Sequence, residues 1–148
     1  MDKLPDVTLT GPDDTPLRLV DQPLPLVVYF YPKDDTAGCT REAQDFSALA
    51  DQFAAAGVAL LGVSKDGPQR HAKFTAKYDL AVSLASDIDG SVCEAFGVWV
   101  EKSMYGRSYM GIERATFLFD RDGRLAREWR KVKVPGHAAA VLEAATSL

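Results

Sequence analysis

Seven consecutive residues, Pro25-Leu26-Val27-Val28-Tyr29-Phe30-Tyr31, form an unbroken apolar run rich in β-branched and aromatic side chains. Such a run predicts a strand buried on both faces. Val58 to Val63 is a second one. Between them Ala43, Phe46, Leu49, Ala50 and Phe53 recur at three- and four-residue intervals, which predicts one helix from about Cys39 with an apolar stripe, ended by Gly57. A strand, helix, strand unit of this kind makes parallel neighbours. Further along, the pattern predicts a helix over Pro68 to Tyr78, a short strand near Val82 to Ala85, and a helical turn or two around Gly90 to Phe96. Ala115 to Phe119 reads as a strand, Arg121-Asp122-Gly123 as a tight turn, and Leu125 to Val134 as its hairpin partner. A last helix is expected from Pro135 to about Ala145, and Gly11-Pro12-Asp13-Asp14 marks an N-terminal hairpin turn.

The alternation predicts an α/β fold: a central mixed β-sheet with helices on both faces and an antiparallel hairpin at one edge. With 148 residues, 47% hydrophobic and 26% charged, the chain suits one core, so residues 1–148 are expected to form a single domain. A formal charge of −4 and a pI near 5.1 argue against a nucleic-acid partner. The one basic cluster, Arg127, Arg130, Lys131 and Lys133, alternates with apolar residues like the solvated face of a strand. No run approaches the roughly 18 apolar residues that span a bilayer, and Met1 to Thr10 lacks the pattern of a secretory signal. The expectation is a cytoplasmic protein with no membrane partner.

Two cysteines cannot make a disulfide framework. His71 and His137 lie far from both cysteines in sequence, so no metal-ligand spacing appears, and neither metal nor other cofactor is expected. One cysteine, however, is placed for chemistry. Pro32 disfavours helix at Tyr31 and stops the strand. A polar loop, Lys33 to Gly38, follows, and helical periodicity then begins at about Cys39. In open α/β sheets ligands favour the carboxyl ends of strands, where this loop lies. A thiol in a first helical turn faces unpaired N–H groups and the positive end of the helix dipole, both of which favour the thiolate. Thr36 is a candidate helix cap or hydroxyl donor to the sulfur. From position alone, Cys39 is equally well a small inert residue packed under the sheet.

The segment YPKDDTAGCTREAQDF, Tyr31 to Phe46, resembles the active-site loop of peroxiredoxins: proline, three residues, threonine or serine, two residues, cysteine. Pro32, Thr36 and Cys39 match it. FGVWVEKSMYG (Phe96 to Gly106), GIERATFLFD (Gly111 to Asp120) and WRKVKVPGH (Trp129 to His137) resemble the peroxiredoxin Q branch, also called bacterioferritin comigratory protein, in register over nearly the whole chain. The resemblance implies a thioredoxin-like fold and reduction of hydrogen peroxide or alkyl hydroperoxides, typically as a monomer. It also implies roles: Cys39 as peroxidatic nucleophile, Thr36 bonding peroxide and thiolate, Pro32 shielding the sulfur, and Arg114 as the active-site arginine. A guanidinium and a hydroxyl suit the charges that such a reaction develops.

Oxidised Cys39 would be a sulfenic acid that must meet a second thiol. The positions where relatives carry a resolving cysteine are here Gln44 and Thr75. Cys93, among Val92, Phe96 and Val98, is the remaining candidate resolving thiol or a packed structural residue. The reading is a one-cysteine peroxidase regenerated by thioredoxin, glutaredoxin with glutathione, or another low-molecular-weight thiol. The alternative is an intramolecular Cys39–Cys93 disulfide cycle. A thioredoxin-type oxidoreductase would want Cys-x-x-Cys, and a copper carrier would want two nearby cysteines and a histidine. A redox-sensing or chaperone-like binding protein without turnover is the reading from another class. Trp99 and Trp129 read as packing residues, His137 as the start of the last helix, and Tyr105 to Met110 as an exposed loop or a wall of the peroxide entrance. Glu42 is expected to cap or orient the active-site loop.

Overall fold

Seven strands share one sheet in the computed structural model, which describes residues 1–148. They are β1 (Thr8–Thr10), β2 (Pro16–Arg18), β3 (Leu26–Phe30), β4 (Ala59–Ser64), β5 (Ser83–Ser86), β8 (Ala115–Phe119) and β9 (Leu125–Trp129), in the order β2-β1-β5-β4-β3-β8-β9. The apolar runs at β3 and β4 pair in parallel, Leu26 opposite Ala59 through Phe30 opposite Val63, as a crossover connection requires. The β4–β5 pair is also parallel, while β8 runs antiparallel to β3 and β9 antiparallel to β8. Antiparallel hairpins therefore close both edges, β1–β2 at one and β8–β9 at the other. The arrangement is thioredoxin-like.

Side chains of β3 alternate between two layers of core. Leu26, Val28 and Phe30 join the N-terminal Leu4, Leu9 and Leu19 and the short helix α4 (Ser91–Ala95), which contributes Val92 and Cys93. Val27, Tyr29 and Tyr31 face the other way. They pack under α1 (Ala37–Ala48), α2 (Ala50–Ala55), α3 (Pro68–Tyr78) and α5 (His137–Thr146), through Cys39, Phe46, Phe53, Phe74 and Val141. Helices thus cover both faces, four of them on one and the short α4 on the other. None is long and apolar enough to cross a membrane.

Four expected boundaries differ, and one expected loop is a hairpin. The helix begins at Ala37 rather than at Cys39, and it is not continuous to Gly57: Leu49, at φ −101° and ψ 3°, separates α1 from α2. The strand expected to run to Val134 ends at Trp129, because Lys131 turns left-handed (φ 47°) and Val132 N–H bonds to the Arg114 carbonyl instead of continuing the ladder. The last helix starts at His137, after Gly136 in a left-handed conformation. Residues 99–112, expected in part as a loop, form a separate antiparallel hairpin of β6 (Trp99–Met104) and β7 (Arg107–Ile112). Its two-residue turn has φ 53° at Tyr105 and φ 77° at Gly106, the pair of positive values that lets a hairpin keep its strands' twist.

Candidate active site

The loop Pro32 to Thr36 leaves the carboxyl end of β3 and turns into α1, so the sequence of the strand and the position of the proline set where the helix starts. Thr36 is the N-cap residue with extended backbone, which makes Cys39 the third residue of the helix. The first intrahelical bond, Thr40 N–H to the Thr36 carbonyl, leaves the amides of Ala37, Gly38 and Cys39 without helical acceptors. Cys39 therefore sits in the first turn, at the positive end of the helix.

Cys39 is 2% exposed. Arg114, at the entry to β8, donates from Nη2 to Cys39 Sγ at 3.3 Å and from Nη1 to Glu42 Oε1 at 2.7 Å. One guanidinium fork thus spans a thiol and a carboxylate that are one helical turn apart on α1. Burial disfavours the charge on Glu42 and pushes its carboxyl up to about 7, against the pull of Arg114. Burial also lowers the affinity of Arg114 for its proton, but Glu42 and Cys39 outweigh it and hold the guanidinium charged. Glu42 Oε2 and the hydroxyl of Tyr29 are both buried without a partner. Gly38 lies directly against this cluster: a Cβ there would stand 3.2 Å from Arg114 Nη2.

The predicted site residues are brought together unevenly. Cys39 and Arg114 are in contact. Thr36 stays exposed, and its hydroxyl donates to the Lys33 carbonyl at 2.9 Å, so it neither caps α1 nor donates to the sulfur. With its proton committed, this hydroxyl offers lone pairs to an incoming O–H group. Pro32 is exposed at the strand end. Glu42, expected to cap or orient the loop, instead grips the arginine. Cys93 belongs to the opposite core layer, 0% exposed, its N–H bonded to Asp87 at 2.7 Å. Burial, then Asp87, pushes its thiol far above the usual range. Trp99 packs against that same layer, under Lys65. Arg127 covers Trp129 on β9, and Arg130 pairs with Glu113 and Glu128; the basic cluster is solvated as expected, but only Arg127 lies on a strand, because β9 ends at Trp129 and Arg130, Lys131 and Lys133 follow it. His137 opens α5 and meets Thr116 Oγ1 at 2.8 Å, and burial lowers its pKa to about 4.

One group escaped sequence reasoning altogether. Asp34, inside the loop, is fully buried and bonded to the Tyr31 hydroxyl at 2.5 Å and to His71 Nδ1 at 2.6 Å. Its partner on α3 lies 37 residues away, and no local signal links them.

A free thiol in a first helical turn, held by an arginine at the carboxyl end of a parallel strand, belongs to thiol-based redox enzymes of thioredoxin-like fold. The chain belongs to the AhpC/TSA family, whose model matches residues 1–128. It is 54% identical over 119 residues to peroxiredoxin Bcp of Xanthomonas campestris, covering 80% of this chain and 74% of that one. It is 46% identical to peroxiredoxin Bcp of Bacillus subtilis over 95% of this chain and 90% of that one. A solved structure of the Xanthomonas campestris bacterioferritin comigratory protein, described for its alkyl peroxide reduction activity, superposes with a TM-score of 0.89 at 47% identity, covering 96% of this chain and 91% of that one. The chain is a peroxiredoxin of the peroxiredoxin Q branch, a thiol peroxidase.

Proposed function

We propose that Cys39 is the peroxidatic residue and that it reduces hydrogen peroxide and alkyl hydroperoxides by a one-cysteine route. The observation that carries this reading is the bond from Arg114 to Cys39 Sγ, with the same guanidinium on Glu42. The thiolate attacks one peroxide oxygen, an S–O bond forms as the O–O bond breaks, and the departing alkoxide takes a proton to leave as alcohol or, from hydrogen peroxide, as water. Cys39 becomes a sulfenic acid. Arg114 stands where negative charge moves from sulfur to the departing oxygen, and charge-assisted donors placed at developing charge are the strongest aids to such a step. The Thr36 hydroxyl accepts the O–H of the bound hydroperoxide, and Pro32 limits water at the loop.

An external thiol then regenerates the enzyme: thioredoxin, glutaredoxin with glutathione, or another low-molecular-weight thiol. Residues 1–148 act as one domain, with α5 packed on the sheet, in the cytoplasm and as a monomer. No exposed large apolar side chain lies on an α-helix, which supports the last point. A second reading is an intramolecular disulfide, favoured by the presence of Cys93 as the chain's only other thiol. It requires Cα atoms within about 7 Å, and hence passage of one sulfur around the sheet.

Intact mass after one equivalent of hydrogen peroxide, in the presence of a sulfenic-acid trap, tests both. A trapped adduct on Cys39 with Cys93 free is the expected result. A Cys39–Cys93 linked peptide would establish the disulfide cycle, and failure of either cysteine to react would leave a binding protein without turnover.

A further inference from the structure

From geometry alone, α3 holds the loop that carries Cys39 at several points. His71 Nδ1 meets Asp34 Oδ2 at 2.6 Å, and His71 Nε2 meets the Ala85 carbonyl at 3.0 Å. A carbonyl only accepts, so Nε2 carries a proton, and one further proton is shared between Nδ1 and the carboxylate. The Tyr31 hydroxyl donates to the other Asp34 oxygen at 2.5 Å. Side-chain exposure is 6% for His71 and 0% for Asp34. The Asp34 N–H is bonded to Asp66 Oδ2 at 2.8 Å, ahead of α3. On the surface, Lys77 and Tyr78 take the two carboxylate oxygens of Asp35 at 2.8 and 2.6 Å. Asp35 has φ 61°, a left-handed conformation that a non-glycine residue keeps only when its surroundings hold it.

None of these groups is hydrogen-bonded to the Cys39 sulfur, yet together they fix both residues of the loop's bend. The loop has one task that a closed site opposes. A peroxide is small enough to reach a sulfur that is 2% exposed, but a reducing thiol must bring its own sulfur into line with the Cys39 S–O bond. Resting on the peroxidase reading above, we infer that the Tyr31–Asp34–His71 cluster, assisted by Lys77 and Tyr78 on Asp35, is a clamp that positions the Cys39 loop and sets the rate of the reductive half-reaction. In that half-reaction a thiol attacks the Cys39 sulfenic sulfur, forming a mixed disulfide and releasing water. A second thiol then reduces the disulfide, returning Cys39 as thiol and leaving the reductant oxidised. The first step proceeds from the fraction of molecules whose clamp has let go.

The buried half carries most of the hold, since exposed ion pairs such as Lys77–Asp35 contribute little. Loss of a buried hydrogen bond therefore multiplies the open fraction, while the closed form remains the bulk of the population and continues to meet peroxide.

The test separates the two half-reactions in His71→Gln and in Tyr31→Phe, the second removing only a hydroxyl and so keeping the core filled. Oxidation of the reduced protein by hydrogen peroxide is followed by loss of free Cys39. Reduction is followed by mixing preformed sulfenic acid with 5-thio-2-nitrobenzoate and recording its consumption. Expected are an increase in the reductive rate of about fivefold or more in both variants and an oxidation rate within about twofold of the parent. Val141→Ala, a core change in α5 that removes none of the clamp's hydrogen bonds, lowers stability and leaves the reductive rate alone. An unchanged reductive rate in Tyr31→Phe, or an equal rise in Val141→Ala, overturns the clamp. If the parent Cys39 is not oxidised by peroxide, the peroxidase reading fails first and separately.

Discussion

Cys39 and Cys93, the two thiols of the chain, are packed in different layers of the core on opposite faces of one sheet. Val28 and Phe30 point to the Cys93 side and Val27 and Tyr29 to the Cys39 side, so the backbone of β3 stands between the layers. On the one-cysteine route Cys93→Ser leaves the rate of peroxide reduction with an external thiol within about twofold of the parent. It lowers unfolding stability by about 1–3 kcal/mol, because a hydroxyl replaces a sulfur in an apolar layer. Steady-state turnover and a denaturant titration read the two effects. Abolished turnover with retained fold would mean that Cys93 resolves Cys39.

Arg114 serves Cys39 and Glu42 with one planar fork, and lysine cannot do that. Arg114→Lys keeps the charge and loses the geometry, so the second-order rate with hydrogen peroxide is expected to fall by about 10²-fold, as for loss of a donor at developing charge. Stopped-flow oxidation of Cys39 measures it. A rate within about threefold of the parent would show that charge alone suffices.

Gly38 offers a sharper case, since its substitution separates stability from activity. Its φ is not left-handed, so alanine fits the helix and gains about 0.5–1 kcal/mol of helix propensity. The added Cβ, 3.2 Å from Arg114 Nη2, pushes the guanidinium away from Cys39. Gly38→Ala therefore melts at the same temperature or higher and loses about tenfold in peroxide rate, by the sensitivity of such steps to displacements of an ångström or less. Equal activity would mean that the arginine reaches the sulfur from a different rotamer.

How much of this was legible in the sequence depended on the range of the interactions. β3 is an unbroken apolar run, β8 is apolar but for the buried Thr116, and α3 has Pro68 at its first position and Asp79 in a left-handed cap, so local signals place all three. The β6–β7 hairpin is hydrated on most of both faces and turns on Tyr105-Gly106, without the apolar alternation that marks a strand. The break at Leu49 falls inside an apolar stripe that continues across it. In the site, the resemblance singled out Cys39 and, from a separate block, Arg114, which the fold brings into contact. The Asp34–His71 bond and the grip of Glu42 on Arg114 depend on which distant residues the sheet brings together, and neither leaves a periodic trace.

Glu42 makes stability depend on pH in a direction opposite to that of an ordinary carboxylate. Its folded-state pKa, about 7, lies above the unfolded value of 4.5 because burial disfavours the charge. A group raised in this way stabilises the fold fully below pH 4.5, and the contribution is lost as pH rises through 7. His137 runs the other way: lowered from 6.5 to about 4 by burial and by Arg114, it contributes stability above pH 6.5 that is lost as pH falls through 4. The two slopes overlap, so the parent protein alone does not resolve them. Glu42→Gln keeps an acceptor for Arg114 and cannot titrate. The difference in unfolding free energy, parent minus Glu42→Gln, is expected to fall by on the order of 2–3 kcal/mol between about pH 4.5 and 7. Urea titrations across that window measure it with His137 present in both proteins. A flat difference would mean that Arg114 keeps Glu42 ionised throughout, leaving the guanidinium divided between two anions at every pH where Cys39 is a thiolate.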